Sequence, residues 1–156
     1  MGQIPMDRSG GEASAKSLEN IAAVLKEDHL IAIYPEGTRS VDGRMYRGKT
    51  GVARIALLAE APVIPVGVSG TATKSRFLGI NWPGKPQVTV GEPLLFSDQY
   101  ANKNDPEVLR YVTDEIMAAI QQITGQQYVD IYGYRVKHGD LKNSDCTEFV
   151  KERPGD

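Results

Sequence analysis

The sequence predicts an α/β fold in which a mostly parallel sheet is flanked by helices. Helical and strand-like periodicities alternate along the chain, and the strand-like runs are short, continuous and rich in β-branched residues. Strands that are apolar on both faces and joined through helices are characteristic of parallel sheets. The chain has 156 residues, 40% of them hydrophobic, which suits one domain around one core.

Residues 12–28 read as a helix, because Leu18, Ile21, Ala22 and Leu25 recur at helical spacing while Lys16, Glu19 and Lys26 fall off that stripe. The run HLIAIY (29–34) reads as a buried strand that Pro35 and Gly37 terminate. Residues 50–61 read as a second helix with Val52, Ile55, Ala56 and Ala59 on one face. PVIPVGVSG (62–70) is another buried strand, and Pro65, which has no N–H to donate, belongs at its end or at a bulge. Residues 71–87, punctuated by Gly79, Pro83, Gly84 and Pro86, read as a long loop, and 87–92 as an alternating strand. Asp105 as N-cap and Pro106 at the first helical position start a helix whose buried stripe is Leu109, Val112, Ile116, Ile120 and Ile123, with Gly125 after it. The domain is expected to span 1–125. Residues 126–156 are polar apart from tyrosines such as Tyr128, Tyr132 and Tyr134, and are expected to form a loosely docked or disordered tail.

Composition excludes several classes of partner. A net charge of -2 provides no field for gathering nucleic acid, although a small anion needs only a local cluster of cations. Cys146 is the single cysteine, so neither an intrachain disulfide nor a cysteine-based metal site is expected, and a cytoplasmic location fits. His29 and His138 lack metal-ligand spacing, and no metal is expected. No apolar run reaches the roughly 18 residues that a spanning helix needs. The opening MGQIPMDRSGGE lacks the basic-then-apolar order of a signal peptide.

Two overlapping stretches compete as phosphate sites. Gly43–Thr50 spells G-x-x-x-x-G-K-T, the letters of a nucleotide-binding P-loop. A P-loop leaves its strand directly, but here a polar segment separates HLIAIY from Gly43, and no second strand ends in a magnesium-holding Asp. P-loop nucleotide binding is therefore the weakest of the functional readings. Glu36–Ser40, by contrast, lies just beyond the carboxyl end of the first expected strand, where α/β folds bind ligands. Gly37 allows close backbone approach, Thr38 and Ser40 supply hydroxyls, and Arg39 supplies a planar fork for phosphate or carboxylate that Glu36 would orient. A solvated turn with a Glu36–Arg39 pair explains the same letters equally well.

The order of three blocks separates these readings. GQIPMDR (2–8), PEGTRS (35–40) and VIPV (63–66) follow one another at suitable distances. In this the chain resembles the glycerolipid acyltransferase family, specifically the branch that acylates 1-acyl-sn-glycerol-3-phosphate, with the match running from Gly2 to about Phe96. The resemblance implies a glycerol-3-phosphate acyltransferase-like fold. It also implies transfer of a fatty acyl group from acyl-CoA or acyl carrier protein, as co-substrate, to lysophosphatidic acid, giving phosphatidic acid in phospholipid synthesis. No cofactor is implied. Arg8 and Arg39 would grip the acceptor phosphate, with Glu36, Gly37 and Thr38 shaping the pocket and Asp7 and Ser40 beside it. Val63, Ile64 and Pro65 would form part of the acyl-donor side. Lys49 would either touch a CoA phosphate or stay solvated. The location implied is peripheral, on the cytoplasmic face of the cell membrane.

One family block has no counterpart. H-x-x-x-x-D supplies a general base worth on the order of 100- to 10,000-fold, yet His29 has Tyr34 five positions on and His138 has Asn143. The chain is therefore expected to be an N-terminally truncated acyltransferase, inactive by itself. The alternative is a non-catalytic remnant that binds a lipid phosphate or CoA.

Overall fold

The computed structural model describes residues 11–71, 73–77, 80–83 and 85–156, with side chains described for 16–71 and 85–156. Helix α1 (Gly11–Lys26) presents Ile21 and Ala22 inward and lies against α2 (Gly51–Ala59). Helix α2 buries Val52, Ala53, Ile55, Ala56 and Leu57 and ends at Glu60 in the left-handed region. It packs on α3 (Pro106–Thr124), the longest helix among the described residues. The start of α3 matches its sequence signal: the Asp105 side chain accepts from the Glu107 N–H at 2.8 Å, Pro106 takes the first turn, and Gly125 closes the helix at φ 65°. Leu109, Val112 and Ile116 form one core with Val52, Ala53, Leu57 and Phe96. Each such buried aliphatic side chain contributes about 1.5–3 kcal/mol relative to exposure.

The fold is α/β, but its sheets are small and mostly antiparallel. Strand β1 (Met45–Tyr46) pairs parallel with β6 (Tyr128–Val129), which pairs antiparallel with β7 (Val150–Lys151). Strand β2 (Val66–Ser69) pairs antiparallel with β5 (Gln87–Val90), and β3 (Thr73–Phe77) with β4 (Ile80–Pro83). The expected mostly parallel sheet is thus corrected. Its premise was that helices join the strands, whereas β2 and β5 enclose only the β3–β4 hairpin, a connection that suits antiparallel pairing. That hairpin also replaces the long loop expected over 71–87. Pro65 falls just before β2, as its missing N–H requires.

Two further expectations are overturned. His29–Tyr34 joins no strand, and Leu30 is 90% and Tyr34 84% exposed. An apolar run becomes a strand only where a neighbour accepts its ladder, and none of the described strands takes that place. The C-terminal segment is not loose. Val129, Ile131, Val136 and Cys146 are buried together with Tyr46, and a short helix α4 (Gly133–His138) sits among them. Residues that look polar in sequence are held because Tyr128 and Val129 complete the ladder of β1.

Candidate functional site

The Glu36–Arg39 turn follows the irregular 29–34 segment. The Gly37 N–H donates to the Tyr34 carbonyl at 3.0 Å, and Gly37 holds φ 70°, where a side chain is strained. Lys49 runs beside it: a Cβ placed on Gly37 would meet Lys49 Cδ and Cε at 3.2 Å and Nζ at 3.5 Å. The turn that carries Lys49 is held at both ends. The Lys49 N–H donates to the Pro35 carbonyl at 2.8 Å. From the other side Arg110 Nη1 donates to the Gly48 carbonyl at 2.7 Å, while the rest of its guanidinium grips Asp114 at 2.8 and 2.5 Å. A bidentate pair with little exposure fixes geometry as well as charge.

Glu36 does not orient Arg39. Its carboxylate turns inward and accepts the Tyr46 N–H at 2.9 Å. Burial, with the Asp42 charge adding to it, pushes the Glu36 carboxyl up to about 7, although the Tyr46 N–H favours the ionised form. Asp42 goes the other way. Burial works to raise its pKa, but donors from the Arg44 N–H, the Tyr46 hydroxyl and the Arg44 guanidinium outweigh it, and the carboxyl lies below the usual range. The Tyr46 hydroxyl donates to Asp42 at 2.8 Å, and burial with that bond raises the phenol to about 12.

Arg39 is exposed and, among the described residues, has neither hydrogen bond nor ion pair. Arg44, Arg47, Arg110, Arg135 and Arg153 each have a carboxylate partner: Asp42, Asp130, Asp114, Asp140 and Glu115 respectively. Ser40 is committed to its own turn. Its hydroxyl donates to Asp42 at 3.2 Å and accepts from the Asp42 and Gly43 N–H groups at 3.4 and 3.0 Å. Thr38 Oγ1 accepts from Lys137 Nζ at 3.3 Å. Asp7 and Arg8 lie outside the described residues.

The P-loop letters do not make a phosphate cradle. Backbone N–H groups that would wrap a phosphate are already engaged: Arg44 donates to Asp42 (3.0 Å), Met45 to the Gln127 carbonyl (2.9 Å) and Arg47 to the Ile131 carbonyl (3.0 Å). Tyr46 and Lys49 donate to Glu36 and Pro35 as above. The middle of the motif is a buried strand, since β1 crosses it.

Val63 and Pro65 are held by the 91–94 segment. Val63 exchanges hydrogen bonds with Leu94 at 3.0 and 2.8 Å and packs on the α2–α3 core, and the Pro65 carbonyl accepts from Gly91 at 2.9 Å. Ile64 points outward, at 45% exposure. Among the described residues no hydrogen bond or ion pair joins this run to Glu36–Arg39. His29 lies 3.9 Å from Glu27 at the surface, and the His138 ring leans on Tyr134. Among the described residues no cluster of His, Cys, Asp or Glu is arranged to hold a metal, and no helix is long and apolar enough to cross a membrane.

The arrangement suits an anion: a glycine-opened turn, a guanidinium unpaired among the described residues, and ammonium groups on Lys49 and Lys137 reaching the residues before it. Lys137 was invisible in the sequence, where it stands 99 positions from Thr38 in a short basic stretch. The inward turn of Glu36 was equally hidden, because it depends on where β1 lies.

Comparison with known proteins bears on the same stretch. Residues 1–69 match the family described as Acyltransferase. The chain is 40% identical over 67 residues to a 1-acyl-sn-glycerol-3-phosphate acyltransferase of Cocos nucifera, covering 42% of this chain and 22% of that protein. It is 28% identical over 120 residues to the protein of that name from Bacillus subtilis, covering 77% of this chain and 56% of that one. With the protein of that name from Haemophilus influenzae it shares 30% identity over 125 residues, 78% of this chain and 50% of the relative. The chain thus spans between about a fifth and somewhat over half of these relatives. No solved structure matches it significantly.

Proposed function

We propose, from the premise that residues 1–69 make this chain a relative of the acyltransferase family, that it carries the acceptor-binding part of an O-acyltransferase acting on 1-acyl-sn-glycerol-3-phosphate. The observation that carries this reading is Arg39. It is the guanidinium of the P-E-G-T-R-S block, and it lacks a carboxylate partner among the described residues while its neighbour Arg44 has one. Arg39 binds the acceptor phosphate, Arg8 joins it, and Gly37 and Thr38 let the headgroup approach the backbone. Holding the phosphate orients the free glycerol hydroxyl towards the acyl donor. In the reaction that hydroxyl loses its proton, its oxygen bonds to the thioester carbonyl carbon, and the thiolate of CoA or acyl carrier protein leaves and takes up a proton. The Val63–Pro65 run belongs to the donor side. A glycerol-3-phosphate acyltransferase-like domain, held peripherally at the cytoplasmic face of the cell membrane, is part of the same proposal.

This chain by itself binds and does not turn over, because neither histidine is followed by the Asp of H-x-x-x-x-D. The same observation favours a second reading, a non-catalytic binder of a lipid phosphate or CoA. Calorimetric titration with a soluble lysophosphatidate tests the shared core: Arg39→Ala is expected to weaken binding at least tenfold, the size of a charge-assisted hydrogen bond. Equal binding by the variant and the parent chain would sink both readings. Thiol release from acyl-CoA above a blank, lost in Arg39→Ala, would overturn the predicted inactivity.

A further inference from the structure

We infer that Lys137 is a specificity-determining residue of the Gly37–Arg39 site, selecting dianionic phosphomonoester headgroups over monoanionic phosphodiesters. The inference rests on the reading of that turn as the acceptor-phosphate site.

Lys137 reaches the turn by construction rather than by chance of a long side chain. Its helix, α4, is anchored on both sides. Before it, β6 completes the ladder of β1, and the Ile131 carbonyl accepts from the Arg47 N–H at 3.0 Å. Within it, Val136 is buried among Tyr46, Val129, Ile131 and Cys146. The first residue of α4 touches the site directly, since a Cβ on Gly133 would stand 3.2 Å from Thr38 Cγ2 and 3.3 Å from Tyr46 Cβ. From this base the half-buried Lys137 donates to Thr38 Oγ1 at 3.3 Å.

The surrounding charges leave this ammonium available to a ligand. Glu36 is turned away to Tyr46. Asp42, which lines the same open cavity as Lys137, is occupied by Arg44 and the Tyr46 hydroxyl, and Asp145 by Thr147. Asp140 is taken by Arg135 on the same helix. Lys49 flanks Gly37 on the other side. Consecutive residues Gly37, Thr38 and Arg39 therefore carry Lys49, Lys137 and a guanidinium without a partner among the described residues. A phosphomonoester bears close to two negative charges at neutral pH, and a phosphodiester only one. Arg39 holds the charge that both esters carry, and Lys137, positioned by its bond to Thr38, meets the second charge that the monoester alone carries.

The test is titration of the full chain with 1-hexanoyl-sn-glycerol 3-phosphate and with its methyl phosphodiester, both below micelle formation. Lys137→Gln is expected to weaken the monoester about tenfold and the diester less than about twofold, the size of one charge-assisted contact at a partly exposed position. Lys137→Arg is expected to restore the preference, and the thermal midpoint of either variant to stay near the parent's. If Lys137→Gln does not unfold cooperatively, Lys137→Met takes its place with the same expectation. Equal loss for both esters, or no loss, while Arg39→Ala weakens both, overturns the role of Lys137 and leaves the anion site standing. No effect of Arg39→Ala on either ester, or no binding by the parent chain, overturns the site and the role of Lys137 together.

Discussion

The β1–β6 pair and the β2–β5 pair are built from similar residues and meet different fates. Met45, Tyr46, Tyr128 and Val129 are at most 1% exposed, because α3 covers them through Met117 and the C-terminal segment covers their other side. Val66, Val68, Val88 and Val90 line one face of β2–β5 and are 42–66% exposed. Their registry places Val66 opposite Val90 and Val68 opposite Val88, so they form one continuous apolar surface. The reverse face of that pair is tight: a Cβ on Gly67 would lie 2.4 Å from Ile123 of α3. A strand's apolar content thus states its capacity for burial, and a second layer decides whether burial happens.

Truncating each region separates them by size of effect. Ile116→Ala, in the covered core, is expected to cost about 2–5 kcal/mol by loss of transfer energy and by the cavity left. Urea unfolding with an unchanged slope would measure it, and a cost below 1 kcal/mol would mean that this core is not packed as described.

Glu36 lies where the site turn meets β1, and its effect appears as a pH dependence. The folded carboxyl titrates near 7 against an ordinary 4.5, so the folded state holds the extra proton between those values. Its contribution to stability is complete below about 4.5 and is lost as pH rises towards 7. Glu36→Gln keeps an acceptor for the Tyr46 N–H and removes the titration. The fall in urea midpoint from pH 5 to pH 8 is expected to shrink in the variant. An identical fall in both proteins would show that Glu36 is solvated.

The smallest effect belongs to the open face. Val68→Thr with Val88→Thr is expected to change unfolding free energy by under about 0.5 kcal/mol, as surface substitutions do. It is also expected to lower concentration-dependent association in sedimentation, because a contiguous apolar patch is broken. A loss of several kcal/mol would show the face to be covered.

Local chemistry made part of this molecule legible. Asp105-Pro106, the stripe from Leu109 to Ile116, and Gly125 describe α3 without reference to anything distant, since caps, a fixed proline φ and helical spacing act within a few residues. Arg39 was legible in the same way, as a guanidinium beside a glycine in a turn. What lay out of reach depends on partners far along the chain. The P-loop letters around Met45 and Tyr46 conceal a strand because its ladder partner, Tyr128–Val129, comes from the segment that composition marks as loose. The 29–34 run looks like a strand because propensity is local, and it is not one because pairing is not.

The sequence by itself determined the helices α2 and α3, the position of Pro65, the P-E-G-T-R-S block with Arg39, and that neither His29 nor His138 has an Asp five positions on. Only the tertiary structure decided the antiparallel pairing of β2 with β5, the inward turn of Glu36 and the approach of Lys137 to Thr38. The physical reason is range. Backbone propensity, capping and spacing are set by neighbours within about a turn of chain, whereas ladder pairing, burial and the meeting of charges are set by which surfaces the folded chain brings together.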